Sequence, residues 1–119
     1  MRLGALHNRD DGRLLVRRVW RATNMFERAR GLLGRPRLDL DEGLLIPRCR
    51  SVHTFGMTYS LDLVFIDTSG VIRKLVNQLG PRRVAGCAAG RMVIELAAGS
   101  IGHHGLEPGM QVSWTRADP

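Results

Sequence analysis

The segment LDLVFIDTSGVIRKLV, residues 61–76, constrains the fold more than any other part of this chain. Two apolar runs of strand length flank DTSG (67–70), a turn sequence with glycine last. The first run is rich in branched and aromatic side chains, which suit a pleated surface. In the second, Val71, Ile72, Leu75, Val76 and Leu79 fit a helical stripe as well as a strand. The tight reversal before them decides for an antiparallel hairpin.

Other short apolar runs extend the pattern. RLLVRRVWRA (13–22) reads as a strand with Val16, Val19 and Trp20 to bury, and LLIP (44–47) follows the turn LDLDEG (38–43) as a short buried strand. RMVIELAAG (91–99) is an apolar strand carrying one acid, and GLEPGMQVSW (105–114) is a Pro-Gly turn into a last strand. One helix is expected near residues 24–33. Thr23 or Asn24 can cap it, and Glu27 stands three residues after Asn24 as in a capping box. Phe26, Ala29, Leu32 and Leu33 then share one face, with Arg28, Arg30 and Arg35 on the rest. Gly34 is placed to end the helix and Pro36 stops its continuation. Gly31 inside it costs about 1 kcal/mol relative to alanine, so a close backbone approach is expected there. Many short strands and one early helix give an α+β domain dominated by antiparallel sheet. We assign residues 1–12 to a short N-terminal extension, 13–115 to a single compact domain and 116–119 to a C-terminal tail.

At 119 residues the chain supports one core, and no run of about 18 apolar residues is present to span a membrane. The opening MRLGALHNRDDGR lacks the apolar centre of a signal peptide, so cytoplasmic residence is expected. Cys49 and Cys87 are too few for a disulfide scaffold and read as two separate thiols. The formal net charge is +7. Residues 1–60 hold 12 arginines against 6 acids, whereas residues 61–119 hold 6 basic against 5 acidic residues. Lys74 is the only lysine, which points to a compositional preference for arginine and to a solvated basic surface as the plain reading.

The strings RATNMFERARGLLGR, DEGLLIP, HTFGM, LDLVFID, VIELAAG and GLEPGMQV follow in an order that resembles the DUF192 family, small prokaryotic domains of unknown function. The resemblance runs from about Leu14 to Trp114. It implies a strongly curved, barrel-like, mainly antiparallel sheet with a helix against it, and it implies no reaction. Only Thr58, Tyr59 and Ser60 separate Met57 from Leu61, which resembles a shorter-loop branch of the family. Periplasmic roles are not carried over, because no export signal precedes these motifs.

Candidate chemistry centres on His53, Thr54, Met57, Asp62 and Glu95. Asp62 shares its sheet face with Ser60 and Val64, and Glu95 with Val93 and Ala97. A carboxylate on an apolar face must be paired, hydrogen-bonded or protonated. Each acid can therefore be a strut holding N–H groups or an arginine, or the two can form an acid pair at a pocket mouth. His53 could act as a general base oriented by Asp62, with Ser51 or Cys49 as nucleophile, but no nucleophile elbow or papain-like context accompanies it. Cys49-x-x-x-His53 and His103-His104 do not make a closed metal pattern, and the two adjacent histidines read as polar residues of a loop or short helical turn. GSIGHHG (99–105) lacks a phosphate-cradling motif. No metal or cofactor is expected. The six aromatic residues sit mostly in strand contexts that suggest core, and no helix-turn-helix pattern surrounds the helix, which disfavours nucleic acid as a partner. The expected function is a non-enzymatic module binding a small molecule, a peptide or a protein segment. The alternatives are a small hydrolase or isomerase using His53 with one acid, and a basic adaptor for nucleic acid or an acidic protein.

Overall fold

The computed structural model describes residues 1–117. Its strands are β1 (Arg2–Asn8), β2 (Leu14–Arg21), β3 (Glu42–Pro47), β4 (Ser51–His53), β5 (Leu61–Ile66), β6 (Ile72–Leu79), β7 (Val84–Gly86), β8 (Met92–Ala97) and β9 (Val112–Arg116). Two short helices, α1 (Met25–Arg30) and α2 (Ser100–His104), interrupt them. Seven strands form one sheet in the order β6-β5-β8-β3-β2-β1-β9, and β4 pairs with β7 in a separate ribbon. Neighbours in the large sheet are antiparallel except β2 and β3, which run parallel. A parallel pair needs a crossover, and α1 lies in that crossover.

The expected hairpin forms: β5 and β6 pair from Leu61↔Leu79 to Ile66↔Ile72. Asp67 fixes the turn by accepting hydrogen bonds from the Ser69 and Val71 amides at 2.8 and 3.0 Å. All six residues of β5 are buried. Burial on both faces explains why this strand reads as a continuous apolar run rather than an alternation. Val64 and Ile66 join Ile94 and Leu96 in a core with Leu6, Val16 and Val112. On the opposite face Leu61, Leu63 and Phe65 join Val93 in a second core with Leu32, Leu44 and Val52.

The sheet does not close into a barrel. Its edges meet at one end, through a bridge between Val71 and Gln111 and hydrogen bonds from the Val112 amide to the Gly70 carbonyl and from the Ile72 amide to the Met110 carbonyl, both 2.8 Å. Farther along, β6 exposes Arg73, Lys74, Asn77 and Gln78. Gln78 takes φ 51° where the register slips, a bulge that bends the strand.

Residues 1–12 are not a mere extension: β1 lies inside the sheet between β2 and β9. Its inward positions are Gly4, Leu6 and Asn8, and one large apolar residue among three does not announce a core strand. Gly4 is required there, since a Cβ would lie 2.5 Å from the Thr115 carbonyl oxygen and as close to the Trp114 ring. Gly4→Ala is expected to destabilise the fold by about 2 kcal/mol, measured by urea denaturation, because a backbone carbonyl cannot give way. At the other end, Arg116 belongs to β9 and the Ala117 amide reaches the Leu3 carbonyl at 2.9 Å. The last two positions of the expected tail, 118 and 119, lie outside the described residues.

The helix is shorter than its sequence pattern suggests and buries no face of its own. Asn24 caps it as expected, accepting from the Glu27 amide at 2.8 Å. Glu27 reaches back to the Thr23 amide, at 2.7 Å, rather than to Asn24. Gly31, not Gly34, terminates α1, with φ 54°. Phe26 stays 72% exposed and Leu33 44%, while Leu32, beyond the helix, is buried. With only six residues, α1 cannot carry a full amphipathic stripe onto the sheet.

Candidate functional site

The residues after β3, the β4 strand and the end of α1 enclose a cleft of about 90 Å³ beside β8. Ile46, Val52, Met57 and Leu61 supply apolar wall, Leu33 and Phe55 form an exposed rim, and Arg28, His53 and Cys49 bring polar groups. Val52 turns inward from β4 while Ser51 and His53 stay exposed, as alternation along a three-residue strand requires. The His53 and Phe55 rings stand 5.7 Å apart.

Glu95 lines this cleft from β8. It is 4% exposed, and its Oε1 has no hydrogen-bond partner. Burial pushes its carboxyl up to about 7, opposed by the Leu32 backbone N–H. Gly31 fits against it: a Cβ there would lie 3.1 Å from Oε1. The close approach expected at Gly31 is therefore an approach to a carboxylate. Cys49 donates its thiol hydrogen to the Ser51 carbonyl at 3.1 Å. Burial raises its pKa, with Glu95 adding to the rise and Arg28 opposing it. A thiol held protonated in this way is a poor nucleophile.

Asp62 lies elsewhere. It pairs across the sheet with Leu96, whereas Glu95 pairs with Leu63, so the two acids project from opposite faces. Asp62 is fully buried. Its Oδ1 accepts from the Gln78 amide at 2.8 Å, and its Oδ2 accepts from the Gly99 and Ile101 amides at 3.1 and 2.9 Å. It thus satisfies the amide freed by the β6 bulge and caps α2, whose own N-cap is a glycine without a side chain. This arrangement removes Asp62 both as an orienter of His53 and as half of an acid pair. Thr54 is likewise a strut: fully buried, it donates to the Gly80 carbonyl at 2.6 Å and accepts from the Arg83 amide at 2.9 Å. Of the five candidate residues, the cleft brings together His53, Met57 and Glu95.

His103 and His104 end α2, a short helical turn as expected, and the His104 ring bonds the Leu40 carbonyl. Cys49 and Cys87 are both free thiols. Among the described residues no group of three or more His, Cys, Asp or Glu side chains is placed to share a metal. Sequence reasoning missed Arg28, Leu33 and Phe55 as cleft residues. For Leu33 the available signal was the apolar helix face, which was assigned to the core.

The DUF192 family profile, described as an uncharacterized ACR, matches residues 6–114. The chain belongs to the DUF192 family. The match includes the end of β1, which the resemblance from Leu14 onward had left out. A UPF0127 protein of Thermococcus sibiricus is 27% identical over 113 residues, covering 92% of this chain and 73% of that protein. Among solved structures, a proposed transcription regulator from Sinorhizobium meliloti superposes with a TM-score of 0.78 at 25% identity, over 95% of this chain and 92% of that one. A protein of unknown function from Novosphingobium aromaticivorans gives a TM-score of 0.73 at 20% identity, over 94% and 84%. The last likeness concerns the fold alone. No helix of the described residues is long and apolar enough to cross a membrane.

Proposed function

We propose that this DUF192 domain is a non-enzymatic binding module whose Glu95 cleft takes one apolar side chain, together with an N–H donor, from a peptide or protein segment. The unpartnered Glu95 Oε1, facing a wall of Ile46, Val52, Met57 and Leu61, carries the reading. A buried carboxyl oxygen without a partner costs free energy that a ligand N–H would recover. At about 90 Å³ the cleft suits a side chain, whereas sites for whole small molecules run to about 300–1,000 Å³. Leu33 and Phe55 on its rim, with Met25 and Phe26 exposed on α1, offer apolar area for the flanking parts of such a segment. The strongly curved, barrel-like sheet is the scaffold in this reading, and the two free thiols suit a reducing cytoplasm.

Selection from a random linear peptide library displayed on phage tests it. Enriched peptides should share an apolar anchor, and their affinity should fall about tenfold or more on Glu95→Gln or Leu33→Asp. Leu14→Ser, which removes an exposed apolar residue on β2 outside the cleft, should leave affinity unchanged. If no sequence is enriched, or binding survives both cleft substitutions, the proposal fails.

A further inference from the structure

We propose that a second, open depression is a binding site for a polyphosphate group, held by Arg2, Arg21, Arg28 and Arg48. These four arginines, drawn from β1, β2, α1 and the turn after β3, line one depression of about 600 Å³ together with Trp114. The volume falls in the range of about 300–1,000 Å³ usual for small-molecule sites. It goes beyond the Glu95 cleft, with which it shares Arg28.

Three features indicate a site rather than a scatter of surface charge. Arg2 and Arg21 stand directly opposite each other in the β1–β2 ladder, where like charges weaken the pairing. Among the described residues, the arginines in ion pairs are Arg18 and Arg73, and none of these four has a carboxylate partner. Glu27, the acid on the adjoining helix, is engaged by the Met1 amino group at 2.7 Å and by Thr23. Arg48, finally, takes φ 52°, a conformation costly for a residue with a side chain.

Guanidinium forks match phosphoryl oxygens in paired hydrogen bonds, and four of them exceed what one phosphate can neutralise. A ligand with two or more linked phosphates, free or as part of a nucleotide, answers the charge. Trp114 pre-positions one of the arginines. Its indole N–H donates to the Val19 carbonyl at 2.9 Å, Gly4 lets the ring lie against β1, and Arg21 sits over the ring at 5.4 Å from its centroid.

Calorimetry and thermal melting of the full chain at low salt, with inorganic pyrophosphate and separately with ADP, test the proposal. The expected result is saturable binding of one ligand per chain and a raised melting temperature. Tighter binding of ADP than of pyrophosphate would identify a nucleotide as the source of the phosphates, and equal binding a free polyphosphate. The Arg2→Gln/Arg21→Gln double variant should weaken binding about tenfold or more. Arg48→Gln should weaken binding independently. Arg13→Ala/Arg17→Ala removes the same formal charge outside the depression and should leave affinity within about twofold. Absence of saturable binding would overturn the proposal. So would an equal loss in the Arg13/Arg17 control, or a single-stranded oligonucleotide whose binding tightens with length and which pyrophosphate does not displace.

Discussion

Asp62→Ala is expected to destabilise the domain by about 4 kcal/mol, seen as a lower urea midpoint with an unchanged slope. The carboxylate is fully buried and accepts three backbone N–H groups, from Gln78, Gly99 and Ile101. Truncation leaves all three without a partner, and each orphaned buried donor costs about 1–3 kcal/mol. Asp62→Asn separates hydrogen bonding from volume. With its carbonyl oxygen toward Gly99 and Ile101, the amide nitrogen must face the Gln78 N–H, so one bond of three is lost. The reverse orientation loses two. Asparagine therefore settles in the first orientation, at a cost of about 2 kcal/mol. An alanine variant within about 1 kcal/mol of the parent would show that water or a local shift replaces the strut. Because Asp62 holds the α2 start and the β6 bulge, hydrogen exchange should rise first at Gln78 in the asparagine variant, and at Gly99 and Ile101 as well in the alanine variant.

Glu95 produces the opposite behaviour. Its folded carboxyl titrates near 7 against an ordinary value of 4.5. Below about 4.5 both folded and unfolded forms are protonated, and the residue favours neither. Between about 4.5 and about 7 the unfolded chain releases this proton while the folded chain keeps it, so the Glu95 contribution to stability falls as pH rises. The fall totals about 3 kcal/mol and levels off above the folded pKa. Glu95→Gln should remove this slope and make the variant more stable than the parent at pH 8 by about 2 kcal/mol. Denaturation midpoints of both proteins across that range check it. Parallel pH curves for parent and variant would mean that the carboxyl ionises freely where it stands. Burial raises the Cys49 thiol and the Tyr59 hydroxyl, and Glu95 adds to both rises, so these two groups lie within its electrostatic reach. Under the binding proposal, an N–H donor entering the cleft favours the ionised carboxyl, so binding near pH 7 should release a proton to the buffer. Calorimetry in buffers of different ionisation enthalpy measures that release.

Local patterns carried much of the fold. The DTSG turn between apolar runs identified the β5–β6 hairpin because Asp67 closes it with bonds to its own neighbours. Asn24 and Glu27 marked the helix start for the same local reason. The helix end was misplaced by a few residues because Gly31 answers to a carboxylate contributed by β8, distant in sequence. β1 escaped notice because Leu6 alone among its inward positions supplies apolar bulk, while Gly4 makes room for Trp114 and Asn8 is polar.

Asp62 and Glu95 show where the two kinds of information part. In sequence each is one acid between two large apolar residues, in LDL and IEL, and that pattern by itself placed both on apolar strands. Their fates differ because sheet register sets Asp62 against Leu96 and Glu95 against Leu63. One acid thereby faces a bulge and a helix start that supply three N–H donors, and the other faces a cleft that leaves an oxygen unpaired. Register is fixed by strand pairing across distant parts of the chain, so only the tertiary structure could decide which acid is a strut and which lines the cleft.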